Sequence, residues 1–153
     1  MSSRDPADLW PQLRNRLHVA CVIYHRAYGR DHAVRVICTY RSELEQEDLH
    51  RASLAGGPRA SRAGESLHNY RPSAAFDIGI FGVLGQYLAG EDDLVWYERF
   101  GEICESIGLE FGGRWPGKKQ DPSHIQVRGY TWEMARQNTE PRIPPIPAEL
   151  MEV

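Results

Sequence analysis

Apolar residues near the start of the chain recur with a helical period. Leu13, Leu17, Ala20, Cys21 and Tyr24 stand at i, i+4, i+7, i+8 and i+11 behind Pro11, which predicts an amphipathic helix over Leu13 to Tyr24. The run from Val34 to Tyr40 is rich in β-branched and aromatic residues and predicts a strand. Ser42-Glu43-Leu44-Glu45 then matches a capping box, with Ser42 at the N-cap and Glu45 reaching back from N3, so a helix runs to about Leu54. Residues 55–65 are small, flexible and basic, and read as a surface loop. Phe76 to Phe81 reads as a buried strand, and Gly82 to Gly90 as a turn with a short second strand. Trp96, Phe100, Ile103, Cys104 and Ile107 restore the helical period, and Gly108 stands where a glycine ends such a helix. Short strands at Leu109 to Phe111 and Ile125 to Val127 flank a loop from Gly112-Gly113 to Asp121, and Thr131 caps a last helix through Arg136. From Glu140 onward Pro141, Pro144, Pro145 and Pro147 predict an extended tail.

This alternation gives an α+β fold: one domain spanning 1–153, built on a small, mainly antiparallel sheet with helices packed on one face. Length agrees, since 153 residues bury a core without disulfides or an obligate partner, and a monomer is expected. Hydrophobic residues at 41% and charged residues at 25% exclude a disordered chain, and a net charge of −3 leaves no positive field for nucleic acid. Cys21, Cys38 and Cys104 lie in apolar runs without metal or redox spacing and read as buried thiols. His18 and His25, in or beside the first helix, read as surface or capping groups. Met1 to Trp10 has no apolar signal region and no stretch reaches membrane-spanning length, so cytoplasmic synthesis without stable membrane association is expected.

Two polar segments interrupt the strand-like sequence, Ser66 to Asp77 and Asp121 to Gln126. Together they supply two imidazoles and two carboxylates. A catalytic zinc (Zn2+) takes three protein ligands and keeps a fourth position for water; His68, Asp77 and His124 meet that count. Asp121, three residues before His124, is then the spare carboxylate that accepts the water's proton. Spacing alone leaves a second reading open, in which both histidines only bond loop backbone.

Ser66-x-His68, Ala75-x-Asp77, Gly112-Gly113-x-Trp115 and Asp121-x-x-His124-x-Gln126 occur in one order. With Tyr40-Arg41-Ser42 and Gln46 upstream, they resemble the zinc peptidases that include VanY-type D,D-carboxypeptidases and the L-alanyl-D-glutamate endopeptidases of phage endolysins. The resemblance covers residues 34–127. It implies zinc ligands at His68, Asp77 and His124, a general base at Asp121, and Arg41 beside the substrate as a planar carboxylate or oxyanion clamp. It also implies substrate or supporting hydrogen bonds from Ser66 and Gln46, and a groove wall at Trp115. One departure stands out: nine residues separate His68 from Asp77 where seven are usual in the family, with Arg71-Pro72-Ser73 replacing a glycine region. The ligands can still converge if the two extra residues bulge outward before a strand starts at Ala75.

The expected function is hydrolysis of the peptidoglycan stem peptide at the L-Ala to D-Glu bond, by a phage endolysin held in the host cytoplasm until the membrane opens. A D,D-carboxypeptidase is the alternative enzyme. A catalytically silent, metal-stabilised binding or virion-structural domain is the alternative of another class, and Asp121 argues against it because a structural zinc would be closed by a fourth ligand.

Overall fold

A computed structural model describes residues 2–151. The core follows from the alternation along one strand. In β2 (Ala75–Gly82), Phe76, Ile78 and Ile80 are fully buried on one face, against β1 (His32–Cys38) and β5 (His124–Val127). Val34 pairs with Ile80, Val36 with Ile78, and Ile125 with Phe76. β4 (Leu109–Phe111) extends the same apolar face, with Leu109 opposite Val127 and Phe111 opposite Ile125. The two-residue β3 (Tyr87–Leu88) pairs with Ile80 and Phe81, completing an antiparallel five-stranded sheet of order β1-β2-β5-β4.

Two helices cover this face. α1 (Pro11–Tyr28) starts on Pro11 and buries Leu13, Leu17, Ala20 and Tyr24, the stripe that its period predicts. It runs four residues beyond Tyr24, where Tyr28 meets the Trp96 ring of α3 at 5.8 Å. α3 (Leu94–Ser106) buries Tyr97, Phe100 and Cys104, and the chain reverses at Gly108, whose φ of +91° a side chain would resist. The buried Arg16 guanidinium donates to the carbonyls of Ile107 and Pro144, tying the proline-rich tail to the end of α3. That tail is extended as expected, but it ends in a helical turn, α5 (Ala148–Met151), after Pro147. Proline is well suited to begin a turn it cannot continue.

α2 (Glu43–Leu54) behaves differently. Ser42 caps it by accepting from the Glu45 amide at 3.2 Å, and Glu45 in turn accepts from the Ser2 hydroxyl at 2.9 Å. Only Gln46 is buried, and the helix borders the cleft instead of joining α1 and α3 in the core. α4 (Trp132–Arg136) is capped by Thr131, as its sequence predicts.

Candidate metal centre and cleft

The other face of the sheet holds the polar residues. A bulge between Val36 and Cys38 shifts the register of β1 by one, so that Cys38 faces Asp77, which faces His124 across β5. His68 reaches this row from a 3-10 turn, Leu67–Asn69, capped by the Ser66 hydroxyl, which accepts from the His68 amide at 3.3 Å. Ser66 thus fixes the turn that bears a ligand candidate, and it also lines the cleft.

The nine-residue interval from His68 to Asp77 closes without displacing either residue. The segment does not bulge into solvent as a whole: Ser73 is fully buried, its amide donating to Asp8 at 2.7 Å and its carbonyl accepting from Trp10 at 3.0 Å. Arg71 lies over the Tyr40 ring at 4.1 Å and pairs with Asp8 at 3.3 Å, and the Arg71–Pro72 peptide is cis. The extra residues are therefore taken up against the N-terminal segment, and β2 starts at Ala75 as required.

One carboxylate oxygen gathers both imidazoles. Asp77 Oδ1 lies 3.2 Å from His68 Nε2 and 3.1 Å from His124 Nδ1, and the two rings are nearly perpendicular, at 87°. Donor atoms about 2.0–2.1 Å from a tetrahedral ion are about 3.3 Å apart, so the Asp77–His68 and Asp77–His124 contacts each match one edge of a coordination sphere, while the two histidines fall in separate metal-competent groups, Cys38–His68–Asp77 and Asp77–Asp121–His124, that share Asp77. His68 Nδ1 is 3.0 Å from the Thr39 carbonyl, which fixes the ring with Nε2 inward. Burial works against a charged Asp77, but His68 and His124 outweigh it and hold the carboxyl well below the usual carboxylate range. Burial likewise opposes a charged His68, and Asp77 overrides it, raising the imidazole well above its ordinary value. Without a metal these groups form a charged buried pair, and a cation would take the place of the proton.

Asp121 completes the cluster: its carboxylate joins Asp77 and His124 in a group whose candidate donor atoms lie within 4.8 Å of one another. Its position is fixed by glycine. The Gly112 carbonyl accepts from the Asp121 amide at 2.9 Å, and a Cβ on Gly112 would meet the Asp121 carbonyl at 2.5 Å. Burial and the neighbouring Asp77 charge raise the Asp121 carboxyl above its ordinary value, which suits a proton acceptor.

Around the cluster opens a cleft of about 870 Å³, to which Arg41, Gln46, Ser66 and Trp115 all contribute. Arg41 donates to Gln46 Oε1 at 3.1 Å and contacts Cys38 Sγ at 3.6 Å, while Gln46 donates to the Ser61 carbonyl at 2.8 Å. Gln46 is thus a buried strut that aims the guanidinium. Trp115 packs on the His124 ring, with centroids 5.0 Å apart, and donates from Nε1 to Glu110 at 2.9 Å. Cys104 is a buried thiol, and burial pushes the Cys21 thiol up to about 11. Cys38 departs from the expected apolar setting. Its sulfur lies 3.7 Å from His68 Nδ1 and it groups with His68 and Asp77 as a metal-competent set. Only the register shift in β1 would have disclosed this. Exposed His18 and His25 lie outside the site, and His25 Nε2 accepts from the Val34 amide at 3.0 Å.

No family model matches the chain, and no curated protein matches it significantly. Solved structures do match. The L-Ala D-Glu endopeptidase ChiX of Serratia marcescens superposes with a TM-score of 0.57 at 20% identity, over 83% of this chain and 88% of ChiX. The vancomycin-resistance D,D-pentapeptidase VanY, as its E175A mutant from a VanB-type cassette in complex with Zn(II), gives 0.54 at 17% identity over 84% and 76%. The chain therefore has the fold shared by these two peptidases, and the resemblance expected from its motifs holds at the level of architecture.

Proposed function

We propose that the chain is a zinc peptidase of the peptidoglycan stem peptide that cleaves the L-Ala to D-Glu bond. The observation that carries this is the convergence of His68 Nε2 and His124 Nδ1 on Asp77 Oδ1, with Asp121 as a spare carboxylate in the same cleft. The similar structures support the substrate class: ChiX is an L-Ala D-Glu endopeptidase, and the D,D-pentapeptidase VanY is in complex with Zn(II). Asp121 and the Gly112-Gly113-x-Trp115 loop resemble the L-alanyl-D-glutamate branch of these peptidases, and that resemblance is what supports the endopeptidase over a D,D-carboxypeptidase.

His68, Asp77 and His124 would hold the zinc, which when bound lowers the pKa of a coordinated water to about 7 and polarises a carbonyl. The chain's other residues then have defined tasks. Asp121 accepts the proton of the attacking water and delivers it to the departing D-Glu nitrogen as the L-Ala C–N bond breaks. Arg41, held by Gln46, offers its planar fork to a substrate carboxylate. Trp115 walls the cleft beside His124.

Mass spectrometry of digested, purified peptidoglycan tests the proposal. New N-terminal D-glutamyl peptides are the expected product; release of D-alanine alone would establish a carboxypeptidase, and bound zinc without fragments a silent domain. We further propose action as a monomeric endolysin reaching the wall from the cytoplasm once the membrane is breached, supported by the motif resemblance to endolysin endopeptidases. Expression inside a Gram-negative host should then cause lysis only after membrane permeabilisation.

A further inference from the structure

The third residue of the Asp121-x-x-His124-x-Gln126 run has no part in the roles above. Gln126 lies two residues beyond His124 in β5, on the same face of the sheet. Its Oε1 is 2.9 Å from His124 Nε2, while its Nε2 donates to the Tyr130 carbonyl at 3.4 Å. A peptide carbonyl only accepts, so Tyr130 requires the amide nitrogen on its side and leaves Gln126 Oε1 turned to the imidazole. That oxygen in turn only accepts, so His124 must carry its proton on Nε2. The consequence appears on the far side of the ring. A metal taking the place of any proton on Nδ1, 3.1 Å from Asp77 Oδ1, would therefore find that nitrogen's lone pair directed into the cluster.

The outer end of this relay is firmly anchored. Tyr130 is buried, its amide donates to the Val127 carbonyl at 3.2 Å, and its hydroxyl donates to Thr139 at 2.6 Å. Gly129, at φ +72°, makes the turn that brings the Tyr130 carbonyl back over Gln126. His68 is fixed in the opposite sense, since the Thr39 carbonyl takes its Nδ1 proton and leaves Nε2 inward. The two histidines thus present different nitrogens, each set by a different acceptor.

We propose that Gln126 is a positioning residue that locks His124 as the Nε2-protonated tautomer and so presents Nδ1 to the metal, an inference that rests on the zinc reading above. Three forms of the full chain test it: wild type, Gln126→Met, which keeps length but has no acceptor, and Gln126→Glu, which restores one. Zinc affinity is measured by competition with a chelator, and the His124 tautomer by nitrogen-15 NMR of the zinc-loaded protein. Loss of such an outer hydrogen bond costs about 10–100-fold in metal affinity. Gln126→Met should therefore bind zinc about 10–100-fold more weakly, Gln126→Glu within a few-fold of wild type, and wild-type His124 should carry its proton on Nε2. Equal affinity in wild type and Gln126→Met, or a wild-type His124 protonated on Nδ1, overturns the role of Gln126 and leaves the zinc site standing. A wild-type chain that binds no zinc overturns the metal reading itself. Should Gln126→Met fail to fold, Gln126→Ala, which also removes the acceptor, takes its place in the same affinity comparison.

Discussion

Along β2, Phe76, Ile78 and Ile80 point to one side of the sheet and Ala75, Asp77 and Gly79 to the other, and the two sides are held together differently. The first side is additive: α1 and α3 cover it with apolar side chains whose contributions follow area and fit. The second depends on a few polar atoms meeting within a few tenths of an ångström, supplied by β1, β2, β5 and two loops. A defect on the core side should lower stability and leave the chemistry of the remaining folded molecules alone. A defect on the cleft side should do the reverse.

The largest expected effect comes from the cleft. His68→Ala or His124→Ala removes a proposed ligand, and both zinc content and hydrolysis should vanish while the metal-free chain still folds; full metal occupancy in either variant would contradict the proposed ligand set. Asp121→Asn separates binding from chemistry more sharply. Zinc should stay bound while turnover falls by about 10²–10⁴-fold, the range for loss of general acid–base catalysis. Asp77→Asn should weaken the metal instead, since a neutral amide replaces the carboxylate that both histidines share. Metal content and fragment release, measured on both variants, would expose swapped roles.

Phe76→Ala is the counterpart on the core side. Phe76 is fully buried beneath α1 and α3, and its truncation should cost about 3–5 kcal/mol in denaturant unfolding. Zinc affinity per folded molecule should hardly change. If it collapses as far as in His124→Ala, the two faces are not separable.

The core side was the more legible in sequence, and the reason is physical. Helical and strand periods are local, so Leu13 to Tyr24, Phe76 to Phe81 and Trp96 to Ile107 disclosed their buried faces without knowledge of the rest. The cleft residues are local only in their motifs. His68 and His124 each approach Asp77, and what brings them there is a register that spans three strands, which no local motif specifies. Cys38 is a buried thiol as its sequence suggests, but its place in the row of Asp77 was not legible, because the bulge after Val36 moves it there. The packing of Ser73 against Asp8 and Trp10, which absorbs the long His68 to Asp77 interval, is a contact between segments over sixty residues apart. No pattern along the chain encodes it.

The buried His68–Asp77 pair also makes the cleft side depend on pH. His68 is raised, so its contribution to the metal-free fold is complete below about pH 6.5 and fades as pH rises through its folded value. Asp77 is depressed, so its contribution is complete above about pH 3.8 and fades as pH falls towards its folded value. The metal-free chain should therefore gain most from this pair between about pH 4 and pH 6.5. Zinc follows the opposite trend, because His68 must lose its proton to bind it. Melting curves from pH 5.5 to pH 8 should show a zinc-induced rise in Tm that grows with pH; a constant rise would mean that no proton is displaced.

The smallest expected effect falls at Arg41, a half-buried side chain where packing and the proposed substrate contact would coincide. Its guanidinium is held by Gln46 Oε1 at 3.1 Å and lies 3.6 Å from Cys38 Sγ, and neither neighbour is a carboxylate. The Glu45 carboxylate also interacts with the Arg41 charge, so the guanidinium has an acidic partner inside the protein, and substitution has to separate that contact from one made to a substrate carboxylate. Arg41→Lys keeps the charge and loses the planar fork. One charge-assisted hydrogen bond is worth about 1.5 kcal/mol, so kcat/KM on stem peptides should fall about tenfold with zinc content unchanged. Shortening the substrate provides the check: a peptide lacking the carboxylate that Arg41 holds should lose activity in wild type and be cut equally by both forms. If Arg41→Lys instead melts at a markedly lower temperature with normal kcat/KM below it, Arg41 belongs with the packed face, and its aim into the cleft is incidental.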